Sequence, residues 1–142
     1  MIPARPIYET SATLADEQAV IRLVSERWRC SFHKLGRDWR ADYLMCRDGL
    51  GKAIVEVKCR TNERLRYPTY AISARKIESM LTQAQHLHLD PFLIVRWADV
   101  IGWHRVEGGY DIKIGGRRDR GDGADIEPMC HIPVCDFRLF GG

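Results

Sequence analysis

The sequence predicts an α/β chain of the α+β kind built on a mixed sheet, and three observations predict it. A helical stripe near the start is followed by three short strand-like runs joined by turn chemistry. A second helical stripe then leads into Phe92 to Trp97, a continuous apolar run of the kind buried on both faces of a sheet. The strand, helix, strand passage from Ile54 through that helix to Ile94 implies a crossover, and hence a mixed rather than purely antiparallel sheet.

The first helix is expected from about Leu14 to Trp28, with Thr13 as its N-cap and Asp16 and Glu17 in the first turn. Its apolar face runs Val20, Ile21, Val24 and Trp28, and Glu17 borders that stripe. Glu17 is therefore either a first-turn acid that favours the helix dipole or a carboxylate aimed at the hairpin described next. Glu9, ahead of the helix, is the fallback. Arg29 to Leu35 alternates loosely as a first strand, and Gly36-Arg37-Asp38 turns into the second.

Ala41 to Cys46 and Ala53 to Cys59 flank Arg47-Asp48-Gly49-Leu50-Gly51, whose Asp-Gly is hairpin turn chemistry. In the second run Ile54, Glu56 and Lys58 share one face and Ala53, Val55, Val57 and Cys59 the other. An acid and an amine thus point the same way out of a strand that is otherwise apolar. A three-residue loop, Asp48 to Leu50, pairs Arg47 with Gly51 and sets Asp42 opposite Glu56. A two-residue Asp-Gly loop alone puts Asp42 on the other face. The odd-length loop is the expectation.

Residues 60–70, RTNERLRYPTY, have no period and read as a loop carrying Arg60, Arg64 and Arg66 among tyrosines. They form either a solvated connection or an edge that grips a phosphate backbone. Ser73 is a natural N-cap for a second helix, along which Ile77, Met80, Leu81, Ala84 and Leu87 fall at helical spacing until Asp90-Pro91. Lys76 lies in its first turn, electrostatically poor for a cation without an anion nearby. Val100 to Val106 supplies a further strand. Residues 107–142 read as a C-terminal hairpin arm: Tyr110 to Ile114, a Gly, Arg and Asp tract, then Ile126 to Val134, interrupted by Pro128 and Pro133. Arg117, Arg118 and Arg120 in that tract are candidate phosphate contacts, partly offset by Asp119, Asp122 and Asp125.

The 142 residues, 45% hydrophobic, fit one domain spanning 1–142. A net charge of +3 combines 22 basic residues, 17 of them Arg, with 19 acids, which permits a nucleic-acid partner without requiring one. Five cysteines without CxxC spacing read as reduced thiols of an intracellular protein. With no leader and no apolar run of about 18 residues, the expectation is a soluble cytoplasmic chain with no membrane association. His86 and His88 do not share a helical face, and Cys130, His131 and Cys135 lack zinc spacing. No nucleotide-binding glycine pattern occurs.

Asp42 and Glu56 converging from adjacent strands make a hard-oxygen site suited to Mg²⁺, with Mn²⁺ as a substitute. Lys58 on the same face is placed to hold or activate a water and to offset charge in a phosphoryl transition state. Asp42, the hairpin, Glu56-Val57-Lys58, an upstream helical Glu17 and a downstream helix with Lys76 together resemble the PD-(D/E)XK nuclease superfamily over about Thr13 to Trp97. Ala41 stands where the family name has proline, a position that varies in the superfamily.

The resemblance implies a restriction-endonuclease-like αβββαβ core and a Mg²⁺-dependent deoxyribonuclease of the small phage-type or Holliday junction resolvase-like kind, in a bacterial or phage-infected cytoplasm. It implies metal ligation by Asp42, Glu56 and the Val57 carbonyl, water activation by Lys58, Glu17 as the first-helix acid and Lys76 as an auxiliary phosphate contact. The implied partner is branched or duplex DNA, with RNA and a homodimer left open. The competing class is a nucleic-acid-binding or assembly protein that keeps the fold and does not cut.

Overall fold

The computed structural model describes residues 11–36, 38–39, 41–116 and 126–140. Helix α1 (Ser11–Trp28) precedes strands β1 (Ser31–Lys34), β2 (Tyr43–Arg47) and β3 (Leu50–Cys59), an antiparallel meander. A 3-10 turn, Arg64–Arg66, leads to β4 (Thr69–Ser73) and helix α2 (Ala74–Leu87). Strands β5 (Asp90–Arg96), β6 (Ile101–Arg105), β7 (Asp111–Gly116), β8 (Ile126–Pro133) and β9 (Arg138–Leu139) complete the chain. The expected αβββαβ order is present in the main sheet and its helices, with β4, a strand of the second sheet, inserted before α2.

The main sheet has the order β1-β2-β3-β5-β6-β9, with β5 parallel to β3, so the crossover through α2 is real and the sheet is mixed. Both central strands are buried on two faces. On one, Ala53, Val55 and Val57 pack with Val20, Ile21 and Val24 of α1. On the other, Ile54, Leu93 and Val95 pack with Ile77, Met80 and Ala84 of α2 and with the second sheet. That β3 is apolar on both faces is what makes Glu56 conspicuous.

Two local expectations change. Thr13 lies inside α1 rather than at its cap, because no Pro or Gly interrupts residues 9–13; Asp16 and Glu17 consequently stand beyond the first turn. Residues 69–73, read partly as loop, form β4. The C-terminal hairpin is there as β7 with β8, and β8 also pairs with β4 in a three-stranded sheet ordered β4-β8-β7. Its prolines fit this place: Pro128 lies beyond the last β4 partner, since Met129 pairs with Ser73, and Pro133 ends the strand. Cys130 and Ile132 of β8 belong to the core, which joins the hairpin to the body. Among the described residues no helix is long and apolar enough to cross a membrane, and all five cysteines are free.

Candidate active site

The hairpin that sets the site is not the one expected. Arg47 pairs with Leu50, so the turn is the two-residue Asp48-Gly49, and both residues have positive φ, 54° and 78°, as a type I′ turn requires. Taken alone, that parity would carry Asp42 to the wrong face. A β-bulge cancels it: Cys46 pairs with Gly51 and Met45 with Ala53, leaving Lys52 as an extra residue on β3. From Met45 onward the register matches Tyr43 with Val55, and one step further sets Asp42 opposite Glu56. The three-residue loop is corrected, and the juxtaposition it was meant to supply is there by another route.

Asp42 straddles Glu56. Its backbone N–H donates to the Val55 carbonyl at 3.0 Å, and its Oδ2 accepts from the Val57 N–H, also at 3.0 Å. The carboxylate thereby serves a β3 donor just past the end of β2 and is fixed beside Glu56.

Glu56 is 2% exposed, and its two oxygens face two amines: Lys76 Nζ lies 2.7 Å from Oε2 and Lys58 Nζ 3.6 Å from Oε1. Burial, and then the neighbouring charge of Asp42, push its carboxyl up to about 7 against the opposing pull of the two lysines. For Lys58, burial works to lower the ammonium pKa, but Glu56, Tyr70 and Asp42 outweigh it and hold the group above its ordinary value. Lys58 therefore stays charged across the neutral range.

Lys76 reaches Glu56 because Ser73 starts α2 where expected. The Ser73 hydroxyl accepts from the Lys76 backbone N–H at 3.4 Å and donates to Glu127 Oε2 at 2.9 Å. The anion that a first-turn lysine calls for is thus Glu56 itself.

Glu17 approaches from α1, on the opposite face of β3, and connects to the site through Lys34, whose Nζ is 3.8 Å from Glu17 and 3.9 Å from Asp42. Arg60 donates to the Tyr70 hydroxyl at 2.8 Å and lies over that ring, and Tyr70 in turn neighbours Lys58 and Glu56. Arg64 is pinned to the Val134 carbonyl, while Arg66 lies over the Tyr67 ring. Glu9, Arg117, Arg118 and Arg120 fall outside the described residues.

Two participants, Lys34 and Glu127, escaped the sequence reading, whereas Tyr70 was expected only as part of the basic and aromatic edge after β3. Lys34 had a signal, since a cation in a strand flanking Asp42 is paired to it by the meander. Glu127 had none, because its approach depends on β8 pairing with β4.

The donor set fits a small hard cation in one respect that is visible here: two carboxylates are held close enough for one to raise the pKa of the other. Among the described residues no group of three or more His, Cys, Asp or Glu forms a metal cage, so the protein offers two carboxylates and main-chain carbonyls, a sparse set of the type Mg²⁺ accepts with its waters.

Comparison with solved structures finds Hjc, a Holliday junction resolvase from the archaeal hyperthermophile Archaeoglobus fulgidus, at a TM-score of 0.61 and 13% identity, covering 92% of this chain and 93% of that one. At that identity the likeness concerns the fold. No curated protein matches in sequence. The family model described as "Phage putative PDDEXK endonuclease" matches residues 3–140. With nearly its whole length matched, the chain belongs to the phage PDDEXK endonuclease family.

Proposed function

We propose that this protein hydrolyses phosphodiester bonds in DNA with the aid of Mg²⁺, for which Mn²⁺ substitutes. The observation that carries the reading is the meeting of Asp42, Glu56 and Lys58 on one face of the hairpin, two of them in a strand whose other residues from Ala53 to Cys59 are apolar.

Asp42, Glu56 and the Val57 carbonyl are the groups that would hold the cation. When bound, Mg²⁺ supplies Lewis acidity toward a phosphoryl oxygen and makes a nearby water more acidic. Lys58, kept as an ammonium by its acidic neighbours, orients the attacking water and offsets negative charge that develops on the phosphoryl group, rather than serving as the base. Lys76, paired with Glu56, would serve as an auxiliary contact to a substrate phosphate. Glu17 acts at one remove, holding Lys34 against Asp42. Arg60, Arg64 and Arg66 contact the phosphate backbone next to the site, and Arg117, Arg118 and Arg120 extend that contact. Branched DNA is the favoured substrate, by analogy with the resolvase whose fold the chain shares.

A second reading, a protein that binds nucleic acid without cutting it, draws on the Lys76–Glu56 pair, in which a lysine already satisfies the charge a cation would meet. One experiment separates the two. Purified protein is incubated with Mg²⁺ or Mn²⁺ and labelled duplex, single-stranded and branched DNA, and RNA, beside Glu56→Ala and Lys58→Ala. Cleavage lost in both variants supports the nuclease. Cleavage undiminished in both removes the site, and binding without cleavage in wild type selects the second reading.

A further inference from the structure

A cavity of about 350 Å³ opens between the segment that follows β3 and the second sheet. Its size is at the lower end of the range for small-ligand pockets, roughly 300 to 1,000 Å³. Its character is unlike that of a groove for a duplex. Tyr67 supplies exposed aromatic surface above a floor formed by the buried Tyr70 and Trp97, while Arg60 and Arg64 supply guanidinium groups.

Both guanidiniums are held in place. Arg60 donates to the Cys59 carbonyl and to the Tyr70 hydroxyl, and Arg64 Nη1 donates to the Val134 carbonyl at 3.2 Å while its backbone N–H is held by Asp99. Each guanidinium has five N–H donors, so these contacts fix the groups without exhausting them. Thr69 and His131, joined at 2.9 Å, add a polar pair able to meet the edge of a base. The cavity also shares a wall with the site, because Tyr70 and Arg60 are the residues that neighbour Lys58.

We propose that this cavity is a subsite for one unstacked nucleotide of a DNA strand, the base stacking on Tyr67 and its phosphate lying on Arg60 and Arg64. Flat π faces with fixed cations beside them are how proteins hold unpaired bases, whereas a paired base cannot leave its stack to enter. The subsite makes the enzyme selective for DNA carrying an unpaired nucleotide next to the cleaved phosphate. Its place in catalysis rests on the nuclease reading above, but nucleotide binding does not.

The test is therefore made without metal. Binding of the full-length protein is measured in a chelator by fluorescence anisotropy, using labelled DNA duplexes that are fully paired or carry one unpaired nucleotide, and the same pair in RNA. A second set carries 2-aminopurine at the unpaired position. The unpaired nucleotide is expected to tighten binding by roughly tenfold, within the worth of one base–aromatic stack. The 2-aminopurine emission is expected to be quenched on binding as it stacks. Tyr67→Ala, at a residue 53% exposed and so harmless to the core, is expected to abolish the preference and leave fully paired DNA bound as before. Ala71→Leu, which fills the cavity, is expected to do the same.

Equal affinity of the wild type for the two DNAs overturns the proposal, as does a preference that survives both variants. Tighter binding of the bulged RNA than of the bulged DNA overturns the assignment to DNA. Failure to cleave with the preference intact counts against the nuclease reading alone, and cleavage without any preference counts against the subsite alone.

Discussion

Lys76 Nζ lies 2.7 Å from Glu56 Oε2, so the first turn of α2 delivers a cation to the one carboxylate buried in the middle of the main sheet. Glu56 nevertheless keeps a carboxyl pushed up from 4.5 to about 7. Burial and Asp42 together outweigh two lysines.

That balance has a sign in stability. Because the folded protein favours protonated Glu56, its contribution is complete below about pH 4.5 and is lost as the pH rises through about 7. At 1.36 kcal/mol per pKa unit the loss is roughly 3 kcal/mol at most. Thermal unfolding from pH 5 to pH 8.5 is expected to show a decline in the wild type that is reduced in Glu56→Gln. Equal slopes in the two proteins would contradict it.

Lys76→Ala removes a charge that lowers the Glu56 pKa, so the midpoint of that decline is expected to move to higher pH. Direct titration of a labelled Glu56 carboxyl by NMR is the sharper check. A midpoint that stays or falls would mean that the ion pair does not persist in solution.

Adding Mg²⁺ is expected to raise the unfolding midpoint more at pH 8 than at pH 6, since Glu56 must shed its proton to bind the cation. Asp42→Asn and Glu56→Gln are each expected to remove the effect. A midpoint indifferent to Mg²⁺ in the wild type would argue against cation binding at this pair.

Lys58→Ala is expected to slow cleavage by about a hundredfold to ten-thousandfold, the span of positioned proton-transfer and water-orienting groups, while metal-free DNA binding is largely kept. Lys58→Arg keeps the charge but not the compact ammonium, and is expected to recover only part of the rate. Single-turnover kinetics separate these effects from binding.

Lys52 gives the cleanest test of the register. As an exposed residue it is expected to tolerate Lys52→Ala within about 0.5 kcal/mol. Deleting it removes the bulge while keeping Met45 opposite Ala53 and Asp42 opposite Glu56, so only the tip beyond Met45 changes face. The deletion is therefore expected to retain cleavage, with Tyr43 and Met45 still in their core, and abolished cleavage would contradict this register.

Much of the molecule was legible from pattern. Periods of two and of about 3.6 placed both helices, the meander and β5, and the break in period at Glu56 and Lys58 marked the candidate site. What failed did so for physical reasons. The bulge has no composition signature, since Gly51 and Lys52 read equally well as turn or strand. Strand β4 is five residues squeezed between Pro68 and a helix cap, and its alternation of Tyr70 and Ile72 is too short to show against the arginines before it. The roles of Tyr70 and Glu127 depend on a second sheet whose strands are far apart in the chain, and no local pattern encodes that pairing.

The Asp48-Gly49 turn and the bulge at Lys52 also behave as one heritable unit. Over a fixed span from Asp42 to Glu56, each alone reverses the parity of the hairpin, and only together do they leave the two acids facing each other. A lineage can gain or lose a single residue at the tip only if the bulge changes in the same step. Relatives with an odd-length tip and no bulge would reach the same site by a shorter path, so tip length and strand irregularity are expected to co-vary among descendants of this hairpin.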